Sequence, residues 1–323
     1  MAAFSGLSVP VAKPTVAAIV DIGSNSIKSL VAARDGQGGI ATRLIQAIDA
    51  RISAGIGQVQ PRLSEDGMQR GIAAIQELLE AIAPFAPEQT VLVATSAVRD
   101  GANGAEFARR IQMATGHRLR ILTGEEEANL IGRGLTSDPQ LADLQSFYVF
   151  DLGGGSLECL AFRARQVDQA ISLPLGCVRL TERCVEKPDS PFTERSRAEV
   201  SAICREAFAK SNFRFSLPVE SGAVFTGGTI TTVCQILAER SGSAFLKANP
   251  TIPVEVLRAL LNEMAALPLA ARRQLAGLPA ARADVFPAAL TTALAVAEIG
   301  RFTSFRHSTH NLRYGLAAEL LAM

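Results

Sequence analysis

The chain opens its ordered pattern with an apolar run at residues 16–21 that ends on an acid. A Gly/Ser/Asn turn follows at 23–26, and a second apolar stretch runs over 27–33. This predicts two short strands joined by a tight turn, with a third strand somewhere in 40–53. The period then changes. Met68, Ile72, Ile75, Leu78, Leu79 and Ile82 recur at helical spacing, Ser64 stands at the N-cap position, Glu65 and Asp66 fall in the first turn, and Pro84 closes the run. Beyond it the pattern predicts strands at 91–95 and 118–122. Helices are predicted at 103–113, capped by Asn103, and at 125–135. Residues 1–14, with two prolines and small polar residues, read as a loose leader.

Ser137-Asp138-Pro139 marks a boundary, after which the opening pattern returns. Residues 147–152 form an apolar run into Gly153-Gly154-Gly155, and strands at 157–162 and 167–173 follow at hairpin spacing. The segments IVDIGSNSIKSLVA and VFDLGGGSLECLAF align at Asp21/Asp151, Gly23/Gly153 and Ser26/Ser156. A repeat displaced by 130 residues, the difference between 21 and 151, predicts a duplicated α/β domain. The first copy spans 15–135 and the second 136–311, with an apolar C-terminal helix expected to return to the first. Helices dominate after Thr193, apart from a short strand at 224–226.

Composition narrows the possibilities. The 323 residues suit two domains of ordinary size. Aromatic residues make up 5% of the chain and tryptophan is missing, so the core must rest mainly on Ala, Leu, Val and Ile. A net charge of +1 offers no broad field to a nucleic acid polymer, and any polyanion must be held by local groups. The five cysteines form no CxxC pair and are odd in number, which predicts buried thiols in a reducing compartment. With no secretion signal or membrane-length apolar stretch, the cytoplasm is the expected location.

Each Asp-x-Gly turn also carries chemistry. An apolar strand delivers an acid to its end, and the glycines that follow free the backbone to take positive φ and approach a ligand. Main-chain N–H groups and neighbouring hydroxyls can then face phosphate oxygens. A carboxylate repels phosphate directly but suits it through a Mg²⁺ ion. A single such turn is equally explained by hairpin geometry; two in matching repeats are not. A third glycine turn, VFTGGTITT at 224–232, opens a helix, where anions are favoured.

Several motifs in order resemble the exopolyphosphatase and guanosine pentaphosphatase family, in its short two-domain form. They are DIGSNSIKSLVA (21–32), ATSAVRDGANGAEF (94–107), GEEEANLIGRG (124–134), DLGGGSLE (151–158), LPLGCVRLTE (173–182) and GGTITT (227–232). The resemblance implies the actin-like ATPase, ribonuclease H-like fold, duplicated around a central cleft. It also implies Mg²⁺-dependent (or Mn²⁺-dependent) release of orthophosphate from inorganic polyphosphate or guanosine pentaphosphate. It assigns Glu127 as the general base and Glu158 as a second acid near the metal and the attacking water. Asp151, with Glu158, becomes the metal carboxylate. Phosphate falls to Asp21, Gly23, Ser24, Asn25 and Ser26 on one loop and to Gly153, Gly154, Gly155 and Ser156 on the other. Arg99, Gly227, Gly228 and Thr229 complete the set. From the residues alone, the acids at 125–127 are better explained as partners of a helix dipole, and only the resemblance reverses this. His117, His307 and His310 have no metal-ligand spacing and read as surface or loop residues.

The chain departs from the family pattern at Thr309 and Tyr314, where acids are usual, and within ARISAGIG at 50–57. These departures bear on affinity and chain-length preference. Scarce aromatics tilt the expected substrate toward polyphosphate over a nucleotide. A kinase of the same superfold and a non-catalytic phosphate sensor are the competing readings. The reading is compatible with a homodimer and calls for no membrane partner.

Overall fold

In the computed structural model, residues 15–36, 38–242 and 251–322 are described. The expected leader at 1–14 lies outside them. The first half contains β1 (Val16–Ile22), β2 (Ile27–Arg34), β3 (Ile40–Ile48), α1 (Glu65–Ile82), β4 (Gln89–Ala94), α2 (Ser96–Asp100), α3 (Gly104–Thr115), β5 (Leu119–Ile121) and α4 (Gly124–Thr136). The second begins with β6 (Phe147–Leu152), β7 (Leu157–Arg163), β8 (Gln166–Leu173), α5 (Cys177–Cys184), α6 (Glu194–Lys210), β9 (Gly222–Thr226) and α7 (Gly228–Ser241). It ends with β10 (Thr251–Pro253), α8 (Val254–Ala265), α9 (Leu269–Arg272), α10 (Phe286–Gly300), β11 (Ser304–His307) and α11 (Leu312–Leu320).

The strands form two mixed sheets, ordered β3-β2-β1-β4-β5 and β10-β11-β9-β6-β7-β8. Read from β8 inward, the second sheet repeats the first: β8, β7, β6, β9 and β11 stand where β3, β2, β1, β4 and β5 do. In both, the first three strands are antiparallel neighbours and the remaining pairings are parallel. The duplication visible in two short motifs thus extends over five strands, and the fold is the duplicated actin-like architecture. β10 is an extra antiparallel edge. Neither β10 nor β11 was expected in a region read as helical; at three and four residues they are too short for an alternating pattern to register.

Two helices fill the space between the sheets. Ala128, Ile131 and Leu135 of α4 and Leu312, Leu316 and Ala317 of α11 share one core with Ile19 and Leu30 of the first sheet and Phe147 and Phe162 of the second. Their approach depends on glycine. A Cβ at Gly315 would lie 1.9 Å from the Leu130 carbonyl oxygen, and one at Gly134 would lie 2.1 Å from that of Asn311. Because α4 runs through this interface, its N-terminus emerges where the two halves meet.

Local chemistry explains some boundaries. The Ser64 hydroxyl accepts from the Gly67 N–H and starts α1 as its pattern predicts. Asn103 starts α3 by position but not by capping. Its amide instead accepts from the Leu63 N–H and donates to the Leu63 carbonyl, tying the loop before α1 to α3. All five cysteines are buried and unpaired. The core departs from expectation in one respect: the few aromatics are concentrated in the second half. Phe147 stacks on Phe162 at 4.5 Å, and Tyr148, Phe150, Phe213, Phe215 and Phe302 form a separate cluster.

Candidate active site

The turns β1–β2 and β6–β7 face one another across a narrow cavity of about 70 Å³. Asp21, Gly23, Ser24, Asn25 and Ser26 line one side; Asp151, Gly153, Gly154, Gly155, Ser156 and Glu158 line the other. Glu127 and Gly228 complete the sequence-predicted residues on its wall. The space admits little more than a phosphoryl group and water.

The glycines act by closeness and not by handedness. Their place in the turns predicts positive φ, but among the loop residues named here only Gly227 has it, at 89°. A Cβ at Gly154 would come within 2.7 Å of Ser24 Cβ, and one at Gly155 within 2.3 Å of Ser96 Oγ. The loops of the two halves therefore meet almost backbone to backbone. At Gly227 a Cβ would lie 2.2 Å from an Asp151 carboxylate oxygen.

Antiparallel register sets the charges. Asp21 is paired with Lys28, and Asp151 with Glu158. Glu127, Asp151 and Glu158 are 5%, 8% and 2% exposed, so none is a solvated surface acid. Burial raises the pKa of Asp21 and lowers that of Lys28. It pushes Asp151 up to about 6, against the pull of Lys28 and with a further push from Asp21. Burial and the neighbouring Asp151 push Glu158 up to about 7, although the Ser172 hydroxyl donates to it at 2.8 Å. Glu127 is raised well above the carboxylate range by burial and then by Glu158, with Arg99 opposing.

The three consecutive acids of α4 have distinct environments. Glu125 is exposed. Glu126 closes a capping box with Thr123 and pairs with Arg120, and these bonds hold its pKa at about 2. Glu127 alone turns into the cavity. Motif resemblance selects Glu127 over Glu126, and the fold supplies the physical reason: Glu126 is committed to the cap.

Several residues depart from the expected picture. Arg99 does not line the cavity; its Nη1 donates to Glu127 Oε2 at 2.7 Å and to the Leu122 carbonyl at 3.1 Å, because the buried acid is the nearest charge. Thr229, in the first turn of α7, is also off the wall, with its hydroxyl buried and unpartnered. Gly227 lines a neighbouring cavity instead. His307 lies within β11 and not in a loop, whereas His310 lies in the loop after it, as expected, and stacks on Tyr314 at 3.8 Å; both are half-buried.

Sequence reasoning missed Lys28, Arg282 and Asn311, which line the cavity, and Arg313 beside it. Lys28 was legible: a two-strand register through the first turn places it opposite Asp21. Arg282, Asn311 and Arg313 carried no local signal. The orphaned atoms gather here. Asn25 Oδ1, Thr226 Oγ1, Arg282 Nε, Asn311 Oδ1 and Arg313 Nε are buried without hydrogen-bond partners, as expected where a polar ligand belongs.

A larger cavity of about 680 Å³ adjoins the first and shares Ser26, Lys28, Gly228, Arg282 and Asn311 with it. Thr309 and Tyr314, the two departures, lie on its wall, and Tyr314 Oη is 2.9 Å from Thr42 Oγ1. Among the described residues, no group of three His, Cys, Asp or Glu could hold a metal ion unaided, and no helix is long and apolar enough to cross a membrane.

The chain as a whole is similar to several solved structures. The chain is similar to the Aquifex aeolicus PPX-GPPA enzyme, at 25% identity and a TM-score of 0.75, with 95% of this chain and 99% of that one covered. An exopolyphosphatase-like protein matches at 25% identity and a TM-score of 0.85, over 95% and 98% of the chains. An exopolyphosphatase from Cytophaga hutchinsonii shares the fold at 22% identity and a TM-score of 0.83, over 95% and 98%. The model of the Ppx/GppA phosphatase family matches residues 31–322. The chain therefore belongs to the Ppx/GppA phosphatase family, hydrolases that act on phosphoanhydride bonds.

Proposed function

We propose that this protein is an exopolyphosphatase that releases orthophosphate from the end of inorganic polyphosphate. One observation carries the reading: Glu127 opens onto a phosphoryl-sized cavity walled by both Asp-x-Gly turns. Glu127 is the group that accepts a proton from attacking water. A base poised near the working pH is the most effective, and burial moves this carboxyl in that direction. Arg99 holds it in one orientation. The main-chain N–H groups of both turns cradle the terminal phosphoryl group, and Lys28 and Arg282 neutralise the oxygens of the leaving chain.

The acids fit a hard divalent cation. Asp151 and Glu158 are buried oxygen donors whose charges lack a cation of their own on that strand pair, and Mg²⁺ commonly uses one or two carboxylates with substrate phosphates and water. We assign them to Mg²⁺ or Mn²⁺, with Asp21 opposite. When bound, such an ion supplies charge neutralisation and Lewis-acid polarisation of the phosphoryl oxygens.

A second reading, 5′-phosphohydrolase activity on guanosine pentaphosphate, is supported by the adjoining cavity. Its volume of about 680 Å³ is in the range of organic ligand sites, and Ile45, Ala47 and Pro279 give it apolar walls. The experiment is orthophosphate release from polyphosphate and from guanosine pentaphosphate, side by side, with and without Mg²⁺, for parent and Glu127→Gln. The parent should turn over polyphosphate faster. Glu127→Gln should lose at least ~10²-fold in kcat on either substrate and keep ligand binding. Parental turnover by that variant ends the assignment of the base.

A further inference from the structure

Arg179 crosses between the two halves of the protein. It belongs to α5, which follows β8 in the second half, and lies within the LPLGCVRLTE motif. Its side chain is nearly buried and makes three short bonds, with a fourth, longer contact from Nη2 to Ser96 Oγ at 3.5 Å. Nε donates to the Gly155 carbonyl at 2.9 Å, inside the second phosphate loop. Nη1 donates to the Ile56 carbonyl at 3.1 Å, in the first half. Nη2 donates to Asp100 Oδ2 at 2.5 Å, also in the first half.

Asp100 has a second contact. Its Oδ1 lies 3.5 Å from Arg99 Nε, and Arg99 Nη1 in turn holds Glu127 at 2.7 Å. An unbroken series therefore runs from the Gly155 carbonyl through Arg179, Asp100 and Arg99 to Glu127. The Arg179–Asp100 and Arg99–Glu127 links are charge-assisted hydrogen bonds, the stronger and more directional kind, and the Asp100–Arg99 contact between them is an ion pair at 3.5 Å. The planar guanidinium of Arg179 keeps its three acceptors at a fixed angle to one another, which an ammonium could not do.

The surroundings bind α5 to the same place. Glu182, one turn after Arg179, accepts from the Gly55 N–H at 2.9 Å and from the Gly57 N–H at 2.7 Å. Gly57 has no room for a side chain, because a Cβ there would lie 2.7 Å from Glu182 Cβ. At the start of α5, a Cβ at Gly176 would lie 2.2 Å from the Gly155 carbonyl carbon. The helix thus rests directly on the phosphate loop while its side chains reach across to residues 55–57 and 100.

We infer that Arg179 and Asp100 are positioning residues that couple the seating of the second phosphate loop against the first half to the orientation of Glu127. The inference rests on Glu127 being the base. Neither residue lines the phosphate cavity, so neither is assigned to substrate. Their effect is to hold Arg99, and through it the carboxylate, in register with the loop that carries the phosphoryl group. Parting the two halves would break Arg179 away from Asp100 and Ile56 and release Glu127 with them.

The test uses the full chain, Mg²⁺ and inorganic polyphosphate, with Asp100→Asn, Arg179→Lys, the two together, and Arg179→Lys/Asp100→Glu. Misplacing a catalytic group by about an ångström costs roughly 10²-fold. Asp100→Asn should therefore lower kcat by about that factor and leave KM within about threefold, since the cavity wall is intact. Arg179→Lys/Asp100→Asn should be no worse than the poorer single variant, because both cut one series. Arg179→Lys/Asp100→Glu, which restores the reach, should recover at least tenfold over Arg179→Lys. A parental kcat in Asp100→Asn, a rise in KM alone, or losses that multiply in the double variant would each overturn the inference.

A second readout does not depend on the substrate. In ¹⁵N-resolved spectra the Arg99 guanidinium protons, assigned by their loss in Arg99→Lys, should exchange slowly in the parent and fast in Asp100→Asn. Equal exchange overturns the relay whatever the enzyme hydrolyses. Failure of the parent on polyphosphate, with the exchange difference intact, overturns the proposed substrate and leaves the relay standing.

Discussion

The hairpins β1–β2 and β6–β7 share a strand order, a register and an aspartate at the same point, yet they differ at the residue across from it. Asp21 faces Lys28, whereas Asp151 faces Glu158. In the first hairpin the acid carries its own counter-ion. In the second, two acids are buried side by side: burial raises both, Asp151 pushes Glu158 further up, and Asp21 adds to the rise of Asp151. Duplication thus produced two equal cradles, and one position made the cleft bipolar: a side that supplies a cation and a side that requires one.

The most severe way to break this asymmetry is to make the second hairpin copy the first. Glu158→Lys should lower phosphate release by about 10³-fold, the scale for losing a preorganised charge at a reacting centre. Activity within tenfold of the parent would show that the second acid is dispensable. Next comes the loss of the cation from the first hairpin. Lys28→Met should raise KM about tenfold and change kcat less, as expected for one charge-assisted contact to substrate. A pure kcat effect would move Lys28 from binding to chemistry.

The acids also predict a dependence on pH. Asp151 is raised from 3.8 to about 6, and Glu158 from 4.5 to about 7. A carboxyl whose folded pKa lies above its unfolded one favours the fold while protonated. That contribution is complete below pH 4 and is lost as pH rises through 6 and 7. In metal-free buffer the melting temperature should fall across that window, by the equivalent of about 3 kcal/mol for Asp151 alone. Mg²⁺ should restore it at pH 8 and have no effect at pH 4, as followed by calorimetry. Asp151→Asn should flatten part of the fall.

The smallest difference concerns the two turn glycines. A Cβ at Gly23 would meet the Ser26 carbonyl oxygen at 2.9 Å, but one at Gly153 would meet that of Ser156 at 3.6 Å, an ordinary contact. Gly23→Ala should cost about 1–2 kcal/mol in urea unfolding and Gly153→Ala less than about 1. Equal costs would mean that the first turn relaxes as easily as the second.

Legibility followed the range of each interaction. Ser64 as a cap and the strand at 147–152 were readable because neighbours in sequence decide them. The Thr123/Glu126 capping box is equally local, and its three-residue spacing is enough to set Glu126 apart from Glu127. Asn103 looked like a cap but was taken by the backbone of Leu63, a partner 40 residues away. Arg99 looked like a phosphate ligand, and its nearest charge proved to be an acid 28 residues on. The triple glycine stood out in the sequence for the wrong property: positive φ is a local trait, whereas these residues are small because another loop lies against them.

By itself, the sequence determined the duplicated plan, the two acid-bearing turns, the order of the motifs and the starts of the first-half helices α1, α3 and α4. Each of these is encoded in periodicity or in a contiguous string of residues. Tertiary structure alone decided that the turns meet face to face, that Arg282 and Arg313 join Lys28 beside them, and that Arg179 reaches from α5 to Asp100. Those outcomes depend on how two sheets pack about α4 and α11, and burial, which sets the charge of every acid in the cleft, exists only once they have packed.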